Sequence, residues 1–151
     1  MKRRRTVSMR LTKGWMAMLL LALPLTAPVG ACDLGVEGAW IRVAPPGAAV
    51  MAGYGRLTNA GKATLRIKNI SSDTFGSVSV HESMVHNGMA MMRPITIEIA
   101  SGARMEFEPG GKHLMLMNPV RALKAGDAVE LKFQDAVGCL LSVRFEVRSG
   151  I

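Results

Sequence analysis

The chain has 151 residues and a formal charge of +8, from 19 basic and 11 acidic side chains. Six of the basic residues and none of the acidic ones lie in the first 31 residues, so the rest of the chain is close to neutral. A nearly neutral chain offers no basic surface to attract phosphate, which excludes nucleic-acid binding, and about 120 residues suit one domain with its own core.

The first 31 residues have the three parts of a secretory signal peptide. A basic head precedes an apolar run over residues 15–23, and Val29-Gly30-Ala31 has the spacing of a small-residue cleavage site. The apolar run is too short to cross a membrane comfortably. We therefore expect a signal peptide over residues 1–31 and one exported domain over residues 32–151.

Short stretches rich in Val, Ile, Leu and Thr alternate with turn residues through the mature part. No long window keeps a helical period, so the pattern predicts an all-β sandwich or barrel. Nine strands are predicted, at residues 36–43, 53–59, 64–70, 76–86, 89–93, 104–107, 112–117, 128–134 and 140–148.

The two cysteines, Cys32 and Cys139, lie near opposite ends of the mature part. An even pair in an exported protein is a candidate disulfide, which would stabilise the fold by about 4 kcal/mol because it closes a long loop. Cys32 also follows Val29-Gly30-Ala31 directly, which resembles a bacterial lipoprotein processing site. In that case Cys32 would carry a lipid and Cys139 would stay free. The sequence slightly favours the disulfide and leaves both possibilities open.

All three histidines and most methionines of the mature part lie between residues 81 and 117. Methionine often fills gaps in a hydrophobic core, which is the simpler interpretation. Thioether and imidazole groups together are also the ligands that favour Cu(I). The alternation of side chains along the predicted strands helps to choose between the two interpretations.

The strand that ends at Met117 separates core residues from candidate ligands. Leu114 and Leu116 point to one face, which suits the core. His113, Met115 and Met117 point to the other face. The pattern therefore predicts a histidine and two methionines pointing outward, away from the core.

The sequence Asn87-Gly88 predicts a hairpin with a two-residue turn. With that turn, Met84 lies opposite Met91 in the neighbouring strand. Both methionines then share a face with Val78 and Val80, and we expect them in the core.

The same hairpin places Met92 opposite Ser83, on the face that carries His81. Met92 lies diagonal to His81, within reach of a long side chain, and is the better candidate ligand. His86 and Met89 flank the turn, where we expect them to be exposed, although they could serve as accessory donors.

Several segments closely resemble the family of PCuAC-type periplasmic copper chaperones. They are Gly38–Arg42 with Pro45-Pro46, Val80–Ser83, Asn87-Gly88, Met92–Pro94 and Pro109–Met117. The resemblance implies a Greek-key, cupredoxin-like β-sandwich that binds Cu(I) through two histidines and two methionines. By matching positions, the four ligands are His81, Met92, His113 and Met115.

The spacing of those ligands departs from the family pattern at one point. The ten residues between His81 and Met92 agree with it, whereas twenty rather than twenty-one separate Met92 from His113. We expect the missing residue in the connection at residues 94–97. Met117, Met91 and His86 are further donors that could assist.

The resemblance also implies a role. It predicts a monomeric, non-enzymatic carrier in the periplasm that delivers copper to an acceptor protein, such as a cytochrome c oxidase subunit or assembly factor. Contact with the membrane is expected only if Cys32 is lipidated. Many relatives add a C-terminal tail rich in His and Met that holds Cu(II), and residues 148–151 contain neither residue type.

Two other functions are alternatives to copper delivery for the His/Met-rich segment. A non-catalytic interaction module could use an exposed Met/His patch to bind a partner. An electron-transfer cupredoxin needs a cysteine thiolate beside histidine ligands, and no histidine follows Cys139. No nucleophile and base are paired in the sequence, so we do not expect an enzyme.

Overall fold

A computed structural model describes residues 32–150, which contain ten β-strands and no helix, so that part of the chain has no helix able to cross a membrane. The signal peptide predicted for residues 1–31 lies outside the described residues. The strands are β1 (Leu34–Arg42), β2 (Val50–Asn59), β3 (Leu65–Ser71), β4 (Phe75–His86), β5 (Met89–Pro94), β6 (Ile97–Ile99), β7 (Arg104–Phe107), β8 (Lys112–Pro119), β9 (Ala128–Asp135) and β10 (Leu140–Arg148).

All ten strands belong to one hydrogen-bonded sheet that curls over itself. The order is β5-β4-β8-β2-β1-β10-β9-β3-β6, and β7 pairs with the second half of β2. The first and last strands, β1 and β10, run parallel, whereas the other pairs are antiparallel. The predicted all-β sandwich is confirmed.

The core lies between the two halves of the curled sheet, and the alternation of side chains along each strand determines which residues enter it. On β10, Phe145 and Val147 are buried, whereas Arg144, Glu146 and Arg148 are exposed. The most deeply buried side chains of the core are Ile41, Leu57, Ile97, Leu114, Leu116, Val129, Leu131, Phe133, Phe145 and Val147.

The nine predicted strands are all present, and β6 is the one that the sequence analysis missed. Its three residues pair with β3, and Ile97 and Ile99 are almost completely buried. Residues 94–97 were expected to form only a connection, but β5 ends at Pro94 and β6 begins at Ile97. A strand of three residues is too short to show a period of its own, which explains the omission.

The β4–β5 hairpin has the predicted register. Asn87 and Gly88 form the turn with positive φ angles of 51° and 77°, and Met84 pairs with Met91. The prediction that Met84 and Met91 lie in the core is wrong, because Met91 is 49% exposed and Met84 is only partly buried. The physical reason is that β5 is an edge strand, exposed along its whole length.

Cys32 and Cys139 form a disulfide with a Cα–Cα distance of 5.7 Å. The bond ties Cys32, two residues before β1, to the turn between β9 and β10. A sulfur bonded to Cys139 cannot also carry a lipid through a thioether. Of the two possibilities left open by the sequence, the structure therefore contains the disulfide.

Candidate metal centre

Two of the four predicted ligands lie directly opposite each other in the sheet. His81 on β4 pairs with His113 on β8, and their ring centroids are 6.2 Å apart. Because side chains alternate along a strand, both rings lie on the face away from Leu114 and Leu116, which are buried in the core. We call this surface of β4, β5 and β8 the ligand face.

His113 is buried on the ligand face, with only 8% of its surface exposed. The ring lies on the predicted face of β8, away from the core, although it is not open to solvent there. Its Nδ1 lies 3.1 Å from the carbonyl oxygen of Gly111. A carbonyl oxygen only accepts, so Nδ1 is the donor of this hydrogen bond, and in the neutral ring Nε2 carries the free lone pair.

This hydrogen bond is the usual way in which a protein orients a histidine ligand. The second ring nitrogen donates to a backbone carbonyl, which fixes the tautomer and the plane of the ring. His113 is thus prepared to bind a metal through Nε2.

His81 is only partly buried and has a different hydrogen-bond partner. Its Nε2 lies 3.2 Å from the hydroxyl oxygen of Ser79. A hydroxyl group can donate or accept, so this contact leaves either tautomer open to His81. The contact lies on the ligand face because Ser79 and His81 are two residues apart on β4.

The two predicted methionine ligands approach the histidines from opposite sides. Met115 follows His113 by two residues, pairs with Ser79 and is partly buried. Met92 pairs with Ser83, whereas His81 pairs with Pro94, so Met92 lies diagonal to His81 as predicted. Met92 is 53% exposed on the edge strand. The structure thus brings the two histidines and Met115 together and leaves Met92 at the rim.

An aromatic pair that the sequence analysis did not select lies beside His113. Ala52 on β2 pairs with Met115, so Tyr54, two residues on, shares the ligand face and lies next to His113. Tyr54 is buried and contacts Trp40 on β1, with ring centroids 4.7 Å apart. In this register β2 places Tyr54 on one side of His113, and β4 places His81 on the other.

A small ion-pair network holds the three ligand strands together from the opposite face. Glu82 on β4 contacts Arg93 on β5 at 2.6 Å and Lys112 on β8 at 3.2 Å. Hydrogen bonds from Arg93 and then from Lys112 lower the pKa of Glu82, so the carboxylate is charged at neutral pH. Each strand of the network also carries a predicted ligand immediately next to the charged residue.

The arrangement restricts the metals that this face could bind. Within residues 32–150, no three His, Cys, Asp or Glu side chains are grouped to hold an ion. The remaining soft donors on the ligand face are the methionine thioethers of Met92 and Met115. Two imidazoles with two thioethers form a soft ligand set, which suits Cu(I) and disfavours hard ions such as Mg²⁺ or Ca²⁺.

A cavity of about 1070 Å³ lies at the other end of β8. It is lined mainly by the loops at residues 43–49 and 118–127, and none of the four predicted ligands contributes to it. Arg121 and Asp127, which form an ion pair at 2.9 Å, are among its charged lining residues. This cavity is therefore separate from the ligand face.

Comparison of the sequence with known proteins gives one family and a distant relative. A family model described as "Putative lipoprotein LpqE-like" matches residues 34–147. The protein "Putative lipoprotein Lxx21020" of Leifsonia xyli subsp. xyli is 32% identical over 104 residues, which cover 66% of this chain. The match spans 61% of that relative's own length.

Solved structures share the fold. The "Copper-bound PCuAC domain from PmoF2" superposes with a TM-score of 0.67 at 19% identity, over 80% of this chain and 97% of that domain. The structure of "CuI-DR1885" from Deinococcus radiodurans superposes with a TM-score of 0.59 at 27% identity, over 87% of this chain and 83% of that protein. The fold is therefore that of the PCuAC domains.

Proposed function

The chain belongs to the LpqE-like family of PCuAC-type proteins, and from this membership we propose that it binds Cu(I) and carries it to an acceptor protein. The ligands are His81, Met92, His113 and Met115. The observation that carries the proposal is the pair of opposed imidazoles, with His113 held by Gly111 so that its Nε2 is available. The Cu(I)-bound structure of DR1885, which has this fold, supports the choice of metal.

Uptake and release of copper follow from the unequal exposure of the ligands. His113, which is buried, and Met115, which is partly buried, form the inner part of the site and hold the ion. Met92 lies at the edge of the sheet and closes over the ion from outside. Because a thioether is a weak neutral donor, an acceptor can displace Met92 first and take the ion by stepwise ligand exchange.

The compartment and the acceptor form a further part of the proposal. A disulfide is typical of an oxidising compartment, which supports an exported, periplasmic protein whose mature part is residues 32–151. A His/Met site contains no thiolate and is suited to that compartment. The acceptor that we propose is a subunit or assembly factor of cytochrome c oxidase, and the carrier acts as a monomer without enzymatic activity.

A Cu(I) competition titration tests the metal site. The mature protein and its variants compete for Cu(I) with a chromophoric chelator under anaerobic conditions. We expect His113→Ala and Met115→Ala each to weaken the tightest Cu(I) equivalent by at least about tenfold, or 1.4 kcal/mol. Met105→Leu, which removes a thioether from β7, is the matched control and should bind like the parent. Equal affinity in all variants would exclude this site.

A direct transfer experiment tests delivery. Cu(I)-loaded protein is mixed with the copper-free soluble copper domain of a cytochrome c oxidase subunit, and the copper content of each protein is measured after separation. We expect copper to leave the carrier when the acceptor is present and to remain when a copper-free protein of similar size replaces it. Retention of all copper in both mixtures would contradict delivery to that acceptor.

The electron-transfer alternative is poorly supported by the structure. A blue copper site needs a free cysteine thiolate, and the disulfide uses both cysteines of the chain. The interaction-module alternative has one observation in its favour, because Val85, Met89 and Met91 expose apolar surface on the hairpin. It predicts partner binding that does not depend on copper, which a binding assay with copper-free and copper-loaded protein would distinguish.

A further inference from the structure

The β4–β5 hairpin carries a second group of soft donors on the face opposite His81 and Met92. In the register of the hairpin, Met84 pairs with Met91 and His86 pairs with Met89. Alternation along each strand places these four side chains on the same face, in two adjacent pairs. We call this group, Met84, His86, Met89 and Met91, the tip cluster.

The geometry of an antiparallel pair allows the four side chains to converge. Opposed Cβ atoms in such a pair are about 5 Å apart, and successive residues on one face of a strand are about 7 Å apart. Methionine has three rotatable side-chain bonds and a sulfur at the third position, so its thioether can move by several ångströms. Three thioethers and one imidazole can therefore surround one ion above the two pairs.

Exposure of these side chains is difficult to explain by packing. Met89 is 64% exposed and Met91 is 49% exposed, at the edge of the sheet and next to a two-residue turn. His86 is exposed as well, and Met84 is partly buried. Three methionines that do not fill the core, grouped with a histidine, form a ligand set that favours the same soft ion as the ligand face.

We propose that the tip cluster is a second Cu(I) site, formed by Met84, Met89 and Met91 with the imidazole of His86. The strands of the hairpin separate it from the first site, because Met91 and Met92 are consecutive and point to opposite faces of β5. It shares no ligand with the ligand face, so it does not depend on the assignment of that site. Only the identity of the ion rests on the proposed function.

The second site has a lower affinity than the first. It offers one imidazole instead of two, and His86, Met89 and Met91 are exposed to water, whereas His113 is buried. Its position at the tip of an edge hairpin makes it the more accessible of the two. Such a site suits capture of Cu(I) from a donor or contact with an acceptor.

Stoichiometry in three proteins tests the proposal, with Cu(I) as the probe. They are the mature parent, a variant without the first site, His81→Ala/His113→Ala, and a tip variant, Met84→Leu/Met89→Leu/Met91→Leu. Leucine keeps the apolar surface and removes the sulfur, so an apolar docking surface would be unaffected. We expect about two equivalents in the parent and about one in each variant. Circular dichroism confirms that each protein is folded.

The outcomes separate the two sites. The parent could bind only one equivalent of Cu(I). If the His81→Ala/His113→Ala variant then loses it and the tip variant keeps it, the second site is overturned and the first stands. One equivalent lost only in the tip variant would support the tip cluster and contradict the first site. Methionine methyl NMR adds a direct reading, because the ε-methyl signals of Met89 and Met91 should shift during the second equivalent. Unshifted signals would contradict the proposal.

Discussion

Replacing both Cys32 and Cys139 by serine should make the fold less stable without changing the affinity for Cu(I). The disulfide joins Cys32, two residues before β1, to the β9–β10 turn and spans 107 residues of sequence. Its main effect is on the unfolded chain, which gains conformational freedom when the loop is opened. The ligands lie on β4, β5 and β8, so the bond contributes nothing to the copper site directly.

The size of the effect follows from the length of the loop. Closing a loop of about 100 residues corresponds to about 4.7 kcal/mol in the chain-entropy model. For a domain of about 120 residues, the unfolding entropy near the melting temperature is about 0.25 kcal/mol per degree, so the midpoint should fall by roughly 15 to 19 °C. The loss is large compared with the stability of a typical domain, about 5–15 kcal/mol.

Urea titration of the parent and of the double-serine variant measures the difference. The variant should have a lower free energy of unfolding and a steeper dependence on urea, because its unfolded chain exposes more surface. The control is the single variant Cys139→Ser, in which the remaining thiol of Cys32 is chemically blocked. It tests whether loss of the cross-link, rather than the second serine, lowers the stability. A loss below about 1 kcal/mol in the double variant would refute the reasoning, because the loop would then not be closed in the parent.

Three further predictions concern separate parts of the molecule. Met92→Leu should weaken binding of the tightest Cu(I) equivalent by at least about tenfold in a competition titration. Met91→Leu should not, because consecutive residues point to opposite faces of β5. Equal effects of the two substitutions would contradict the assignment of Met92 to the ligand face. Leu131→Ala, at a side chain with 0% exposure, should lower the free energy of unfolding by about 2–5 kcal/mol in urea and leave copper binding intact; a loss below about 1 kcal/mol would contradict the packing. The backbone N–H of Lys124 and then the Arg121 guanidinium lower the pKa of Asp127 below 3.8, so its contribution to stability is complete above that pH and is lost as the pH falls through the lowered value. Carboxyl NMR should therefore give a higher pKa for Asp127 in Arg121→Ala, and an unchanged pKa would contradict the contact.

The sequence predicts those features of the structure that depend on neighbouring residues in one strand or hairpin. Leu114 and Leu116 alternate with His113 and Met115, and this local alternation alone assigns the two faces of β8. Asn87-Gly88 fixes the turn, and the turn fixes every pair in the hairpin.

Features that depend on the order of strands in the sheet could not be predicted in this way. Met91 has the alternation of a core residue, but its strand lies at the edge, so the side chain is exposed. His113 is buried on β8 between β2 and β4, two strands that are distant from it in the sequence. Neither the edge position of β5 nor the identity of the strands beside β8 can be read from a local pattern in the sequence.

The most direct test of the central claim follows individual methionines as copper is added. Protein labelled with ¹³C at the methionine methyl groups is titrated with Cu(I) under anaerobic conditions, and the spectrum is recorded at the first equivalent. The proposed site predicts that the signals of Met92 and Met115 shift, while those of Met51, buried in the core, and Met105 stay in place. If the first equivalent shifts other methionines and leaves Met92 and Met115 unchanged, the copper site described here is wrong.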